Sequence, residues 1–218
     1  MKKASVITAL IFGLGLSACV RDTGPQPGYP DYPQYYSFVE EFSNDRNDWS
    51  FNDPANYAWG DVGGGTFLME YDDDWSSAYY ISKDISGVNY RDDFTIYTRI
   101  GSNNNMGLLF GYNYNTGSYG YSFMVDYDGY YALYDEGGNG YGPNVEELVP
   151  PTTGNFVNFG GDWNDLRLEQ RGNRWLGFIN DVQVFNIPAQ QIKGRSAGFI
   201  LMPYTQGEAD YLQIDWIR

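Results

Sequence analysis

The chain has 218 residues, with 13 Lys and Arg against 28 Asp and Glu, a formal net charge of −15, one cysteine and no histidine. Without histidine there can be no Ser-His-Asp triad, no Cys-His dyad and no histidine-held metal, and a lone cysteine excludes an internal disulfide. So acidic a chain repels phosphates and anionic headgroups, which argues against nucleic-acid binding and favours neutral or cationic ligands. Lys2 and Lys3 open the chain, and Val6 to Leu16 is an apolar run too short to span a bilayer but suited to a signal peptide. Leu16-Ser17-Ala18-Cys19 closes this leader, residues 1–18, with small residues before the cysteine. Residues 19–36 then carry Pro25, Pro27, Pro30 and Pro33 with Gly24 and Gly28 and no apolar period. Such a linker is extended, reaching a few tens of ångströms at about 3.1 Å per residue.

From residue 37 to 218 the pattern is of strands and turns, with almost no helical period. Phe38 to Phe42 opens the domain, followed by Trp49-Ser50-Phe51, then Thr66 to Tyr71 after a Gly63-Gly64-Gly65 turn. Ala78 to Ile81 is short, and Phe94 to Ile100 alternates imperfectly. In the centre, Leu108, Phe110, Tyr112 and Tyr114 recur at period two, as do Tyr119, Tyr121, Phe123 and Val125 across a turn at Asn115-Thr116-Gly117-Ser118. Tyr130 to Asp135 completes a three-stranded meander. Residues 137–155 read as a Gly-, Pro- and Asn-rich loop in which Val145 to Val149 suggests one helical turn. Leu166 to Glu169, Trp175 to Ile179, Val182 to Ile187, Ala197 to Met202 and Tyr211 to Arg218 are further strands, with a hairpin about Asn180-Asp181. About twelve short strands, with turns every 8–12 residues, predict an all-β, antiparallel two-sheet sandwich.

The Leu16-Ser17-Ala18-Cys19 ending resembles the lipobox of bacterial lipoproteins. That resemblance implies cleavage before Cys19, lipidation of its thiol and amine, and a membrane tether. Val20, not Asp, after Cys19 implies sorting to the outer membrane of a Gram-negative cell. The domain's motifs resemble the concanavalin A-like lectin/glucanase superfamily, in its laminin-G-like and 3-keto-disaccharide hydrolase (DUF1080-type) branches. The resemblance rests on Phe38-Val39-Glu40-Glu41-Phe42 with Trp49, on Gly107 to Tyr112, on Tyr121-Ser122-Phe123 with Gly129 to Leu133, on Trp163-Asn164-Asp165-Leu166 through Phe178-Ile179-Asn180, and on Ala197-Gly198-Phe199 with Ile214 to Arg218. It implies a jelly-roll sandwich that binds or acts on glycans. Asp181 replaces the glycine usual in the hairpin, and the Glu-x-Asp-x-x-Glu strand of the glucanases is missing.

Several residues could carry chemistry. Asp72-Asp73-Asp74 offers hard oxygen ligands, so calcium is the one cofactor to consider, although the run also reads as a solvated loop. Asp126 and Asp128 read as turn residues before Gly129. Neighbours on a strand face opposite sides, so Glu40 and Glu41 cannot act as a catalytic pair. Trp75, Tyr112, Tyr114, Tyr119 and Tyr131, with Asn113 beside them, form the candidate ligand face; sugar rings stack on aromatics while amides bond hydroxyls, but Tyr also fills strands and cores. Trp59, Tyr134, Tyr141 and Trp163 add to this aromatic excess. The sequence therefore suggests a membrane-anchored, noncatalytic carbohydrate-binding or adhesive module with a glycan partner. The alternatives are a glycoside hydrolase or lyase using Glu70 or Asp93 as base, and a structural envelope protein that binds another protein.

Overall fold

Period-two apolar patterning becomes strand after strand, and among the described residues there is no helix. The computed structural model describes residues 38–73, 78–85, 93–113, 116, 118–137 and 145–217; Cys19, the leader and the linker lie outside them. The strands run β1 (Phe38–Glu40), β2 (Phe51–Asp53), β3 (Ala58–Gly63), β4 (Thr66–Tyr71) and β5 (Tyr79–Asp84). Next come β6 (Asp93–Ser102), β7 (Met106–Tyr112), β8 (Tyr121–Val125), β9 (Tyr130–Asp135) and β10 (Glu146–Thr153). The last five are β11 (Asn164–Arg171), β12 (Arg174–Ile179), β13 (Val182–Pro188), β14 (Ser196–Leu201) and β15 (Thr205–Ile217). Among the described residues fifteen strands thus stand where about twelve were expected. The strands that were not expected are β3, a short strand interrupted by Gly60, and β10, which falls in a segment expected to be loop.

Nine strands form one sheet in the order β13-β12-β11-β6-β15-β4-β3-β2, with β1 also on β15; the other six run β10-β9-β8-β7-β14-β5. Every pairing is antiparallel. The two sheets bury one face each. Phe94, Ile96 and Ile100 of β6, Leu168 of β11 and Leu212 and Ile214 of β15 share one core with Leu108 and Phe110 of β7, Phe123 of β8, Leu133 of β9 and Phe199 of β14. Each of these is fully buried. Trp175 of β12 reaches across to Phe110 and Tyr121, with ring centroids 5.3 and 4.8 Å away and near-perpendicular planes to Tyr121. Val145 to Val149 is not a helical turn. Glu146 to Thr153 is an edge strand with two register shifts against β9, a position that tolerates Pro150 and Pro151 because an outermost strand can forgo ladder donors. The hairpin at Asn180-Asp181 holds both residues at positive φ, 48° and 66°, so Asp181 serves the turn in place of glycine.

The opening segment is locked by one buried carboxylate. Glu40 is 2 % exposed. It accepts hydrogen bonds from the Phe42 backbone N–H at 3.0 Å, from Trp49 Nε1 at 3.0 Å and from the Asn47 amide. Trp49 is thereby fixed among Phe42, Phe67 and Phe199, with centroids 5.6, 5.6 and 5.8 Å away. Glu41, its neighbour, is exposed, as strand alternation requires. Replacing Glu40 by Ala leaves the Trp49 indole and Phe42 amide without acceptors in the core. We expect a loss of about 2–3 kcal/mol of folding free energy, read as a lower urea midpoint at unchanged slope.

Candidate functional site

The outer face of the six-stranded sheet is apolar and aromatic. Leu109 of β7, Met124 of β8 and Ile200 of β14 form a second small cluster there, packed by Ala78, Tyr80, Tyr112, Tyr134 and Met202. Tyr80, Tyr112 and Tyr119 form a triad: the Tyr80 and Tyr112 rings are 6° from parallel at 6.4 Å, and Tyr119 lies 4.9 Å from Tyr80 and 5.6 Å from Tyr112. All three are partly exposed.

Simple alternation would send Tyr112 into the core with Leu108 and Phe110. It goes the other way because β7 carries a bulge. β14 pairs Ala197 with Phe110 and Ser196 with Tyr112, skipping Gly111. Gly111 has φ +67°, and Gly120, close to it, has φ +70°. A Cβ on Gly120 would lie 2.4 Å from Phe110 O and 2.7 Å from Tyr112 N, so only glycine fits. The same pair of glycines separates Tyr119, which joins the outer triad, from Tyr121, which is 2 % exposed in the core.

Beside the triad stands a buried acid. Glu136 is 6 % exposed and follows Ala132 and Tyr134 on the outward parity of β9. Its carboxyl accepts hydrogen bonds from Tyr80 Oη at 3.1 Å and from Ser122 Oγ. Burial is the largest influence on it and raises its pKa above the ordinary glutamate value; the Ser122 and Tyr80 hydroxyls pull the other way, Asp135 adds to the rise and Lys193 opposes it. Asp135 points to the other side, where Lys193 forms an ion pair with it and lies 4.9 Å over the Tyr121 ring. Partly exposed rings, hydroxyls and a carboxyl on one patch can stack on and hydrogen-bond a polyhydroxylated ligand.

Of the ligand face expected from sequence, the structure unites Tyr112 and Tyr119 and adds Tyr80, Tyr134 and Glu136. Tyr131 is a correction: it is 7 % exposed, its ring packs 5.7 Å from Phe156 and its hydroxyl donates to Val184 O at 3.2 Å, because its parity on β9 is that of Leu133 in the core. Asn113 holds the neighbouring segment, its amide donating to Lys193 O at 3.2 Å. Trp75, Tyr114, Tyr141 and Asp74 lie outside the described residues. Asp72 is exposed and Asp73 accepts a long 3.4 Å bond from Tyr71 Oη; among the described residues no group of three acids is placed to hold a metal. Asp93 and Glu70 do not form a pair. Asp93 accepts from Gly172 N at 2.6 Å and so braces the β11–β12 turn, whereas Glu70 faces outward from the nine-stranded sheet. Asp126 accepts from the backbone of Asp128 and Tyr130, which is turn chemistry. Glu136 was hidden in the sequence because it stands alone before Gly137, although counting two past Tyr134 would have placed it outward.

No family model and no curated protein matches the chain. Solved structures share its fold. An endo-β-galactosidase from Clostridium perfringens that releases GlcNAcα1-4Gal superposes at a TM-score of 0.53 and 10 % identity, over 86 % of this chain and 64 % of that one. A structure described with endo-acting O-glycanases of human gut bacteria superposes at 0.52 and 8 % identity, over 84 % of this chain and all of that one. The carbohydrate binding module CBM66 from Bacillus subtilis gives 0.48 and 13 % identity, over 72 % and 85 %. At these identities the likeness is one of fold alone, a two-sheet β-sandwich.

The raised pKa of Glu136 has a consequence for stability. Below about pH 4.5, the value of a free glutamate, folded and unfolded chains are both protonated there and nothing is lost. As pH climbs from there through the higher folded-state pKa, the unfolded chain sheds its proton first, so this residue progressively disfavours folding. We expect Glu136→Gln to gain stability relative to the parent as pH rises above that point. Urea midpoints of both proteins, measured from about pH 4 to about pH 8, check the sign.

Proposed function

We propose that the domain is a noncatalytic, carbohydrate-binding module that holds a neutral glycan against the outer face of the six-stranded sheet. The observation that carries this reading is the Tyr80, Tyr112 and Tyr119 triad, presented on that face by the bulge at Gly111 beside the Glu136 carboxyl. Stacking needs only exposed aromatic faces, and hydroxyl recognition needs only fixed acceptors and donors, so no covalent step is required. The sandwich neighbours named above as an endo-β-galactosidase and as linked to O-glycanases support a glycan ligand for this fold. The lipobox-like Leu16-Ser17-Ala18-Cys19 and the linker after it support display of the module on a membrane through the Cys19 lipid, in the outer membrane of a Gram-negative envelope.

A glycoside-active enzyme is the second reading, and Glu136 favours it. A carboxyl whose pKa is raised by burial is suited to act as a general acid. Glycoside hydrolysis usually takes a second carboxyl about 5–9.5 Å away, and Asp135 faces the opposite side of β9. Turnover of model glycosides that disappears in Glu136→Gln decides for this reading.

Two experiments test the principal reading. Titration of neutral glycans by calorimetry is expected to give saturable binding that falls roughly tenfold, about 1.4 kcal/mol, in the Tyr112→Ala/Tyr119→Ala double variant. Tyr131→Phe, altered only in the core, should bind as the parent does; absence of any glycan binding at millimolar concentration overturns the proposal. In cells, Cys19→Ser is expected to move the protein from the membrane to the soluble fraction, read by fractionation and by loss of incorporated fatty acid.

A further inference from the structure

A second cleft lies on the opposite side of the molecule, on the outer face of the nine-stranded sheet, with a volume of about 470 Å³. It is built by register. Trp59 of β3 lies opposite Glu70 of β4, and Glu70 lies opposite Gln206 of β15. In the next row Leu68 lies opposite Glu208, and Glu208 opposite Gly101 of β6. The floor at Gly101 bears no side chain, and the Trp163 ring covers it, 3.6 Å from where a Cβ would stand. The Trp59 and Trp163 walls are thus three strand spacings apart, about 14 Å. Asn103 closes the row, its side-chain oxygen accepting from Gln206 N at 2.7 Å.

The charge in this cleft is unbalanced. Among the described residues neither Glu70 nor Glu208 has an ion-pair partner or hydrogen-bond donor, and no Lys or Arg lines the cleft. The nearest arginine on β6, Arg99, is engaged by Asp165 at 2.8 Å and lies 3.9 Å from Asp210. Glu70 and Glu208 are diagonal neighbours on adjacent strands, roughly 7–8 Å apart, and so repel one another. An ammonium group between them would relieve that repulsion, and the tryptophan faces would favour both the cation and the apolar face of a sugar ring. A neutral sugar leaves both carboxylates uncompensated, and an anionic one is repelled.

We propose that this cleft is a second binding site, specific for an amine-bearing saccharide of the deacetylated glucosamine type, with the ring stacked on Trp59 or Trp163 and the ammonium held by Glu70 and Glu208. The proposal deepens the carbohydrate reading and rests on it for the saccharide, but it uses no residue of the tyrosine face.

The test is calorimetric binding of a glucosamine hexamer and of its fully N-acetylated counterpart to the full chain. The amine form is expected to bind, with an affinity that falls as salt is raised, and the acetylated form is expected to bind this cleft at least about tenfold more weakly. Glu70→Gln/Glu208→Gln, and separately Trp59→Ala, should each cost about tenfold in affinity for the amine form. Glu146→Gln/Glu147→Gln removes the same charge from the exposed edge strand β10 and should leave that affinity unchanged, as should Tyr112→Ala/Tyr119→Ala. Thermal unfolding of each variant confirms the fold; the outward glutamine substitutions carry the test should Trp59→Ala fail to fold. Equal losses from the two glutamine pairs would show diffuse attraction to an acidic surface and overturn the site. No binding of the amine form, or equal affinity for both forms, overturns it too. Neither result touches the tyrosine face, whose neutral-glycan binding is read by its own variants.

Discussion

A β-strand presents its side chains alternately to two sides, and in a sandwich only one side of each sheet is covered by the other. Everything else in this structure follows from how the chain keeps or breaks that alternation. The covered sides fuse into one aromatic-rich core, in which Phe42, Trp49 and Phe67 of one layer meet Phe199 of the other. In the nine-stranded sheet the core leaves little freedom: a one-residue slip of β11 would exchange the buried Leu166 and Leu168 for Asp165, Arg167 or Glu169. Where the alternation is broken, at Gly111 and Gly120, the break turns a tyrosine from core to surface. The same constraint that stabilises the fold therefore composes the outer tyrosine face.

The two outer faces have opposite characters. That of the six-stranded sheet is apolar and aromatic with, among the described residues, one buried acid, Glu136. That of the nine-stranded sheet is charged and divided. Toward β11 and β12 it carries arginines paired with acids, Arg99 with Asp165 and Arg167 and Arg171 with Glu169, with Arg167 also over the Phe178 ring at 3.7 Å, while Arg174 donates to Asn186. Partly exposed pairs of this kind contribute little to stability individually. Their effect is to neutralise the acids around them. Toward β3 and β4 the arginines stop, and Glu70 and Glu208 are left facing a cleft between two tryptophans.

Several buried polar side chains are bonded as tethers, although the Arg167 Nε is buried without a partner. Glu40 ties the opening segment to Trp49, Gln170 accepts from Trp175 Nε1 at 2.9 Å, and Asn164 joins the Asn158 and Asn180 turns to the start of β11. Each anchors a large ring or a turn that the apolar core alone would position loosely. Histidine and disulfides play no part, so the architecture depends on packing, ladder hydrogen bonds and these few tethers.

Much of this was legible in the sequence. Period-two recurrence of Leu108 and Phe110, and of Tyr121, Phe123 and Val125, marked the central strands, the absence of helical period pointed to the all-β class, and the glycine-poor hairpin at Asn180-Asp181 was acceptable on turn chemistry alone. These features are local: they depend on spacing two or four residues apart. What only the tertiary structure decided is which side of each strand became the inside. Tyr112 and Tyr131 look alike in sequence, yet one is carried outward by a bulge whose partner glycine is nine residues on, and the other is held inward by Val184 and Phe156. Glu70 and Glu208 are 138 residues apart and meet only because β4 and β15 are neighbours. Strand order across a sheet is set by long-range pairing, which no local pattern encodes, and the side-chain clusters on both faces are made of it.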